Sequence, residues 1–217
     1  MRWDSIIFDF DGVVAVNSQA VAFDVLADAI ANFGVTLSRH DMFERYLGWR
    51  GEQILDHVER AYGIHIERSV LDPVRAKIHR RLLRDVRKDP TLTALLRLRV
   101  QRFICSVNKT HFIENLLGAL EIAEYFPRTT IFGEQTDCRF KPHPDIYLAC
   151  LREHGLDPLR TCAVEDSVAG VRAARAAGLH VYGLVNGLPA HLRSDYAVQL
   201  VRAGADRVID DFQEVAQ

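Results

Sequence analysis

Six short apolar runs, each ending in a polar cluster, limit what this chain can fold into. Ile6-Ile7-Phe8 runs into Asp9-Phe10-Asp11-Gly12, Arg102-Phe103-Ile104-Cys105 into Ser106, and Thr130-Ile131-Phe132 into Gly133-Glu134. Thr161-Cys162-Ala163-Val164 leads into Glu165-Asp166, Val181-Tyr182-Gly183-Leu184-Val185 into Asn186-Gly187, and Arg207-Val208-Ile209 into Asp210-Asp211. Runs this apolar read as strands buried on both faces, the condition of a parallel sheet covered by helices. The expected fold is therefore α/β, a doubly wound parallel sheet. Its polar strand ends then share the carboxyl edge, where open sheets of this kind bind ligands.

Some ninety residues without a clear strand separate the first run from the second. Val21, Val25, Leu26, Ala29, Ile30 and Phe33 follow helical period, with Gly34 as a stop. Ser38 and Asp41 form a capping-box pattern. Asp72-Pro73 and Asp89-Pro90 each read as an N-cap with proline at the first helical position. Gly63 can close the helix that holds Ile54, Leu55 and Val58. The expected organisation is a core domain of residues 1–15 and 90–217 and an inserted α-helical cap domain, 16–89. Hinges are expected near residues 15–18 and 86–92.

Four chemical signals fall at strand ends in chain order. Asp9 and Asp11 stand one residue apart ahead of Gly12, which lets the backbone turn sharply near a ligand. An ionised carboxylate there needs a cation or hydrogen bonds to offset its desolvation. Ser106, followed by Val107-Asn108-Lys109, precedes a helix expected over Thr110–Leu120 and marks an anion site at its N-terminus. Lys141-Pro142 opens a helix around Asp145–Arg152, and Glu165-Asp166-Ser167 opens an alanine-rich helix closed by Gly178.

In this order the signals resemble the haloacid dehalogenase superfamily of phosphotransferases. Lys141-Pro142-His143-Pro144-Asp145-Ile146-Tyr147 and Val164-Glu165-Asp166-Ser167-Val168-Ala169-Gly170 are most similar to its branch of β-phosphoglucomutase and sugar-phosphate phosphatases. The resemblance spans essentially the whole chain. It implies an aspartate nucleophile at Asp9 and a general acid/base at Asp11, with Ser106 and Lys141 completing the catalytic set. It implies Mg²⁺ held by Asp9, the Asp11 backbone carbonyl and Asp166, with Glu165 as a direct or supporting ligand. Asn108, Lys109 and Arg50 become substrate contacts, and the expected partner is a small phosphorylated metabolite. Phosphoryl transfer needs an in-line nucleophile and strong charge neutralisation, which this residue set can supply.

The alternative is a β-phosphoglucomutase-type transferase, against which Asn17-Ser18-Gln19-Ala20-Val21-Ala22-Phe23 lacks that branch's cap histidine. A non-catalytic ligand-binding member should have lost Asp9, Asp11 or Asp166. A carbon-attacking dehalogenase lacks the second aspartate that Asp11 supplies.

A formal charge of −2 over 217 residues points away from nucleic acid and anionic membranes as partners. Asp4 interrupts any signal-peptide pattern, and no apolar stretch reaches membrane-span length, so a cytoplasmic location and a monomer are expected. Cys105, Cys138, Cys150 and Cys162 form no Cys-x-x-Cys pair and read as reduced thiols. The basic stretch from Lys77 to Lys88 reads as a solvated helix face, or as a positive lure for phosphorylated substrates.

Overall fold

A computed structural model describes residues 2–134 and 138–216. Internal contacts divide the chain into two compact units, one of residues 1–17 with 86–217 and the other of residues 18–85. Residues 16–17 and 86–89, assigned to the insertion on sequence grounds, thus belong to the core unit. Backbone pairing explains the shift: Val16 N–H donates to Arg87 O at 2.9 Å, and Arg87 N–H donates to Asn17 Oδ1 at 2.7 Å.

The core unit is built on six parallel strands: β1 (Ser5–Phe8), β2 (Gln101–Cys105), β3 (Ile131–Phe132), β4 (Thr161–Glu165), β5 (His180–Leu184) and β6 (Arg207–Ile209). Their spatial order is β3-β2-β1-β4-β5-β6. The chain winds outward from β1 in one direction, then returns to add β4 on the other side. This reversal makes the carboxyl ends of β1 and β4 the topological switch point, the crevice where doubly wound sheets place ligands. Every residue of β1 and β4 is buried, as strands paired on both sides and covered on both faces must be.

Helices of the core unit are α5 (Pro90–Leu96), α6 (Thr110–Ala119), α7 (Asp145–His154), α8 (Val168–Ala176) and α9 (Ala190–Ala203). Asp89 caps α5 by accepting from Thr91 N–H at 2.7 Å, with Pro90 at the first position, as expected. Its other oxygen accepts from Asn186 Nδ2 at 2.8 Å, which ties the loop after β5 to the start of α5.

The second unit is helical: α1 (Ser18–Ala31), α2 (Arg39–Tyr46), α3 (Gly51–Tyr62) and α4 (Leu71–Asp85). The Ser38/Asp41 capping box forms, and Gly63 closes α3 at φ +66°. Asp72-Pro73 is not an N-cap. A 3₁₀ turn at Arg68–Val70 runs directly into α4 at Leu71, so both residues already lie in its first turn. Three cations of the basic stretch pair with acids: Lys77 with Asp28 (3.1 Å), Arg81 with Asp24 (3.0 Å) and Arg84 with Asp85 (2.8 Å). Among the described residues no helix is long and apolar enough to cross a membrane.

Candidate active site

Just past the end of β1, Phe10 is fully buried, Asp9 is nearly so and Asp11 is half-buried. Asp9 N–H donates to Val164 O at 2.9 Å, which keeps Asp9 in register with β4. Gly12 then turns back at φ +73°, and its N–H donates to Ala15 O at 3.0 Å. A Cβ at Gly12 would lie 1.9 Å from Asp166 Oδ2, so glycine is what allows the β1 loop and the β4 loop to meet here.

Lys141 sits at the centre of the charged cluster. Its Nζ donates to Asp9 Oδ1 (2.6 Å), Glu165 Oε1 (2.6 Å) and the Cys105 carbonyl (2.9 Å). An ammonium has three protons, and the residue after β1 and the last residues of β2 and β4 each provide one acceptor for it. Glu165, expected just beyond the strand, is instead the last residue of β4, paired with Gly183 and fully buried. Burial alone would lower the Lys141 pKa, but Asp9 and Glu165 outweigh it and hold the amine protonated.

Three carboxylates face this one ammonium. Oxygen atoms of Asp9, Glu165 and Asp166 lie within 4.8 Å of one another. Burial pushes the Asp9 carboxyl up to about 7, with Glu165 and Asp11 adding to the rise and Lys141 opposing it. Asp166 is driven well above the carboxylate range by burial and by Asp9, Glu165 and Asp11. This excess of crowded hard oxygen donors fits a divalent cation of the Mg²⁺ type, which prefers carboxylates and retains waters. Such a cation would supply the missing positive charge.

The loop after β2 provides the opposite, donor-rich side. Ser106 is 1% exposed, its N–H donates to Phe132 O at 2.9 Å, and its Oγ accepts from Asn108 N–H at 3.2 Å. Ser106 does not cap α6; Lys109 holds that position, three residues later and exposed. Asn108 Nδ2 donates to Asp11 Oδ2 and joins this loop to the β1 loop. Glu134 N–H in turn donates to Asn108 O at 2.7 Å. The core unit thus brings together Asp9, Asp11, Ser106, Asn108, Lys141, Glu165 and Asp166. Arg50 belongs to the helical unit, where it occupies the N-cap position of α3 with an exposed side chain.

Three contributors carry no plain sequence signal. Tyr147 on α7 is fully buried and donates to Glu165 Oε1 at 2.6 Å; burial and the nearby acids hold its phenol well above the usual range. Ser167 Oγ donates to Glu165 Oε2 at 3.3 Å and caps α8 by accepting from Gly170 N–H at 3.0 Å. Gly170 leaves room for Glu165, since a Cβ there would stand 2.0 Å from that carboxyl group. Each stands in a run that carries the family resemblance, Tyr147 six residues after Lys141 and Ser167 and Gly170 just after Glu165, but the run alone does not disclose the contact.

The geometry is a charged strand-end site at the switch point of a doubly wound sheet, with Lys141 between Asp9 and Glu165. Residues 6–184 match the haloacid dehalogenase-like hydrolase family, and the chain belongs to it. A conserved haloacid dehalogenase-like protein of unknown function from Agrobacterium tumefaciens superposes with a TM-score of 0.87 and 35% identity, covering 99% of this chain and 96% of that one. Hexitol phosphatase B of Escherichia coli is 29% identical over 179 residues, 79% of this chain and 78% of its own. The 6-phosphogluconate phosphatase of the same organism is 25% identical over 183 residues, 83% of this chain and 82% of its own. With such relatives the chain falls among the phosphoric monoester hydrolases of the family.

Proposed function

We propose that this protein is a Mg²⁺-dependent phosphatase of small phosphorylated sugars, working through an aspartyl-phosphate formed on Asp9. The observation that carries the reading is the Lys141 ammonium shared between Asp9 and Glu165 at the β1/β4 switch point. Asp9 attacks phosphorus as the ester oxygen leaves, and Asp11 gives that oxygen a proton. In the second half Asp11 takes a proton from water, which attacks the phosphorus of the acyl phosphate and frees both Asp9 and inorganic phosphate. Asn108, bonded to Asp11, orients its carboxyl group. Ser106, which accepts from Asn108 N–H, keeps its own proton for a phosphate oxygen. Lys141 acts as a fixed positive charge beside the nucleophile, since protein acceptors occupy its donors. Asp9, Asp166 and the Asp11 carbonyl would hold Mg²⁺, which neutralises phosphate charge when bound. Glu165, engaged by Lys141 and Tyr147, backs that set.

The two named relatives act on open-chain six-carbon phosphates, by their names, and these lead the test panel. The test is inorganic phosphate release with Mg²⁺ from hexitol phosphates, 6-phosphogluconate, cyclic sugar phosphates, short phosphoesters and nucleotides. Preferential release from the sugar-derived esters is expected; release from none of them overturns the proposal.

Gly12→Ala is a second check on the same site. The added methyl group meets Asp166 Oδ2, and φ +73° already disfavours alanine. Disturbing a residue that packs against a metal ligand typically lowers activity or metal affinity by roughly 10–100-fold. The Mg²⁺ concentration for half-maximal phosphate release should rise accordingly; an unchanged value would remove Asp166 from the cation site.

A further inference from the structure

We propose that Tyr147 is a positioning residue whose hydroxyl orients Glu165 and thereby places the Lys141 ammonium on Asp9, a role that rests on the phosphatase reading above. Glu165 is 0% exposed, so its carboxylate must be satisfied entirely by protein donors. Tyr147 and Lys141 both donate to Oε1 at 2.6 Å, whereas Ser167 reaches Oε2 only at 3.3 Å. The shorter contact to a neutral group is therefore the one that sets the rotation of the carboxyl plane.

That rotation matters because Lys141 bridges two acids. Its Nζ is caught between Oε1 of Glu165 and Oδ1 of Asp9, with the Cys105 carbonyl as third acceptor. The Cys105 carbonyl belongs to a central strand and cannot follow a moving side chain. If the Glu165 carboxylate turns, Nζ follows Oε1 and its contact with Asp9 lengthens. A flexible lysine stem does not resist this by itself, since its rotamers are many. Tyr147 shares a chain segment with Lys141 and stands on the first turn of α7. Its ring lies 5.1 Å from Nζ, so ring and hydroxyl serve different ends. The ring packs and contributes a cation–π contact. The hydroxyl alone reaches Glu165.

Tyr147→Phe separates the two, keeping the ring and deleting one hydrogen bond to a charged group. Loss of such a bond lowers kcat by about tenfold, with KM changed by no more than about twofold, if the bond serves the chemical step rather than binding. In the Glu165→Gln background the further effect of Tyr147→Phe should fall to within about twofold, because residues acting through one another are not additive. A Tyr147→Phe enzyme with wild-type kcat, or a full tenfold loss that persists beside Glu165→Gln, overturns the proposal.

Thermal midpoints of the same four proteins without divalent cation give a readout independent of turnover. The double variant should melt measurably above the sum of the single shifts; additive shifts overturn the Tyr147–Glu165 coupling. A wild-type protein that releases phosphate from no ester brings down the phosphatase reading instead, and the midpoint cycle still decides whether Tyr147 acts on Glu165.

Discussion

Asp9→Asn should abolish phosphate release, with turnover reduced by roughly 10⁴-fold or more, as happens when a covalent nucleophile is removed. Asparagine matches the shape of aspartate but has no anionic oxygen to attack phosphorus. The fold should survive, since Lys141 retains the Glu165 carboxylate and the Cys105 carbonyl as acceptors. Turnover retained by the variant would end the aspartyl-phosphate mechanism. The same substitution has a stability signature without divalent cation. Burial raises the Asp9 pKa from 3.8 to about 7. A raised carboxyl contributes stability that is fully present below its unfolded value and is lost as pH rises through its folded value. The cation-free wild type should therefore lose thermal stability between about pH 4 and about pH 7, and Asp9→Asn should lose less. Parallel midpoint-against-pH curves for the two proteins would contradict this account.

Lys141→Met should damage both stability and rate. The lysine side chain is 7% exposed and neutralises two buried acids, one of them fully enclosed. Removing one partner of a buried ion pair leaves uncompensated charge and destabilises by about 3–5 kcal/mol. Turnover should fall by roughly 10²–10³-fold, the scale of losing one preorganised electrostatic group. Mg²⁺ should raise the melting temperature of Lys141→Met more than that of the wild type, because the variant holds a larger unbalanced negative charge. Lys141→Arg should not substitute, since a planar fork cannot reach three acceptors disposed around one nitrogen. A Lys141→Met protein with wild-type midpoint and rate would show that the lysine is not the counter-charge of Asp9.

Much of this site could be read from the chain because buried parallel strands have a plain signature. Each apolar run stops where its polar end meets solvent or ligand, so Asp9, Ser106 and Asp166 stood out by position, and Lys141 by the Lys-Pro pair that opens a helix. Strand limits were less legible: Glu165 looks like a loop acid, yet pairing with Gly183 makes it the end of β4. The helix after Ser106 was legible and starts at Thr110 as expected, but nothing local showed that Asn108 N–H folds back on the Ser106 hydroxyl. Asp72-Pro73 carried the pattern of a cap and failed because a preceding 3₁₀ turn had already begun the helix. Tyr147 was hidden for a general reason. On an amphipathic helix a buried tyrosine and a buried phenylalanine share the same period, and only the direction of the hydroxyl distinguishes them. Gly12 mattered through Asp166, a residue from a distant part of the chain that no local pattern records.

The two places where the chain leaves and re-enters the core unit are joined by backbone and side chain, Val16 to Arg87 and Arg87 to Asn17. The helical excursion between them therefore begins and ends at one spot. For the sheet it is a closed loop whose length is nearly irrelevant, since closure entropy grows only logarithmically with the number of residues. Evolution or an engineer can lengthen, shorten or exchange that excursion while Asp9, Lys141 and Asp166 keep their places.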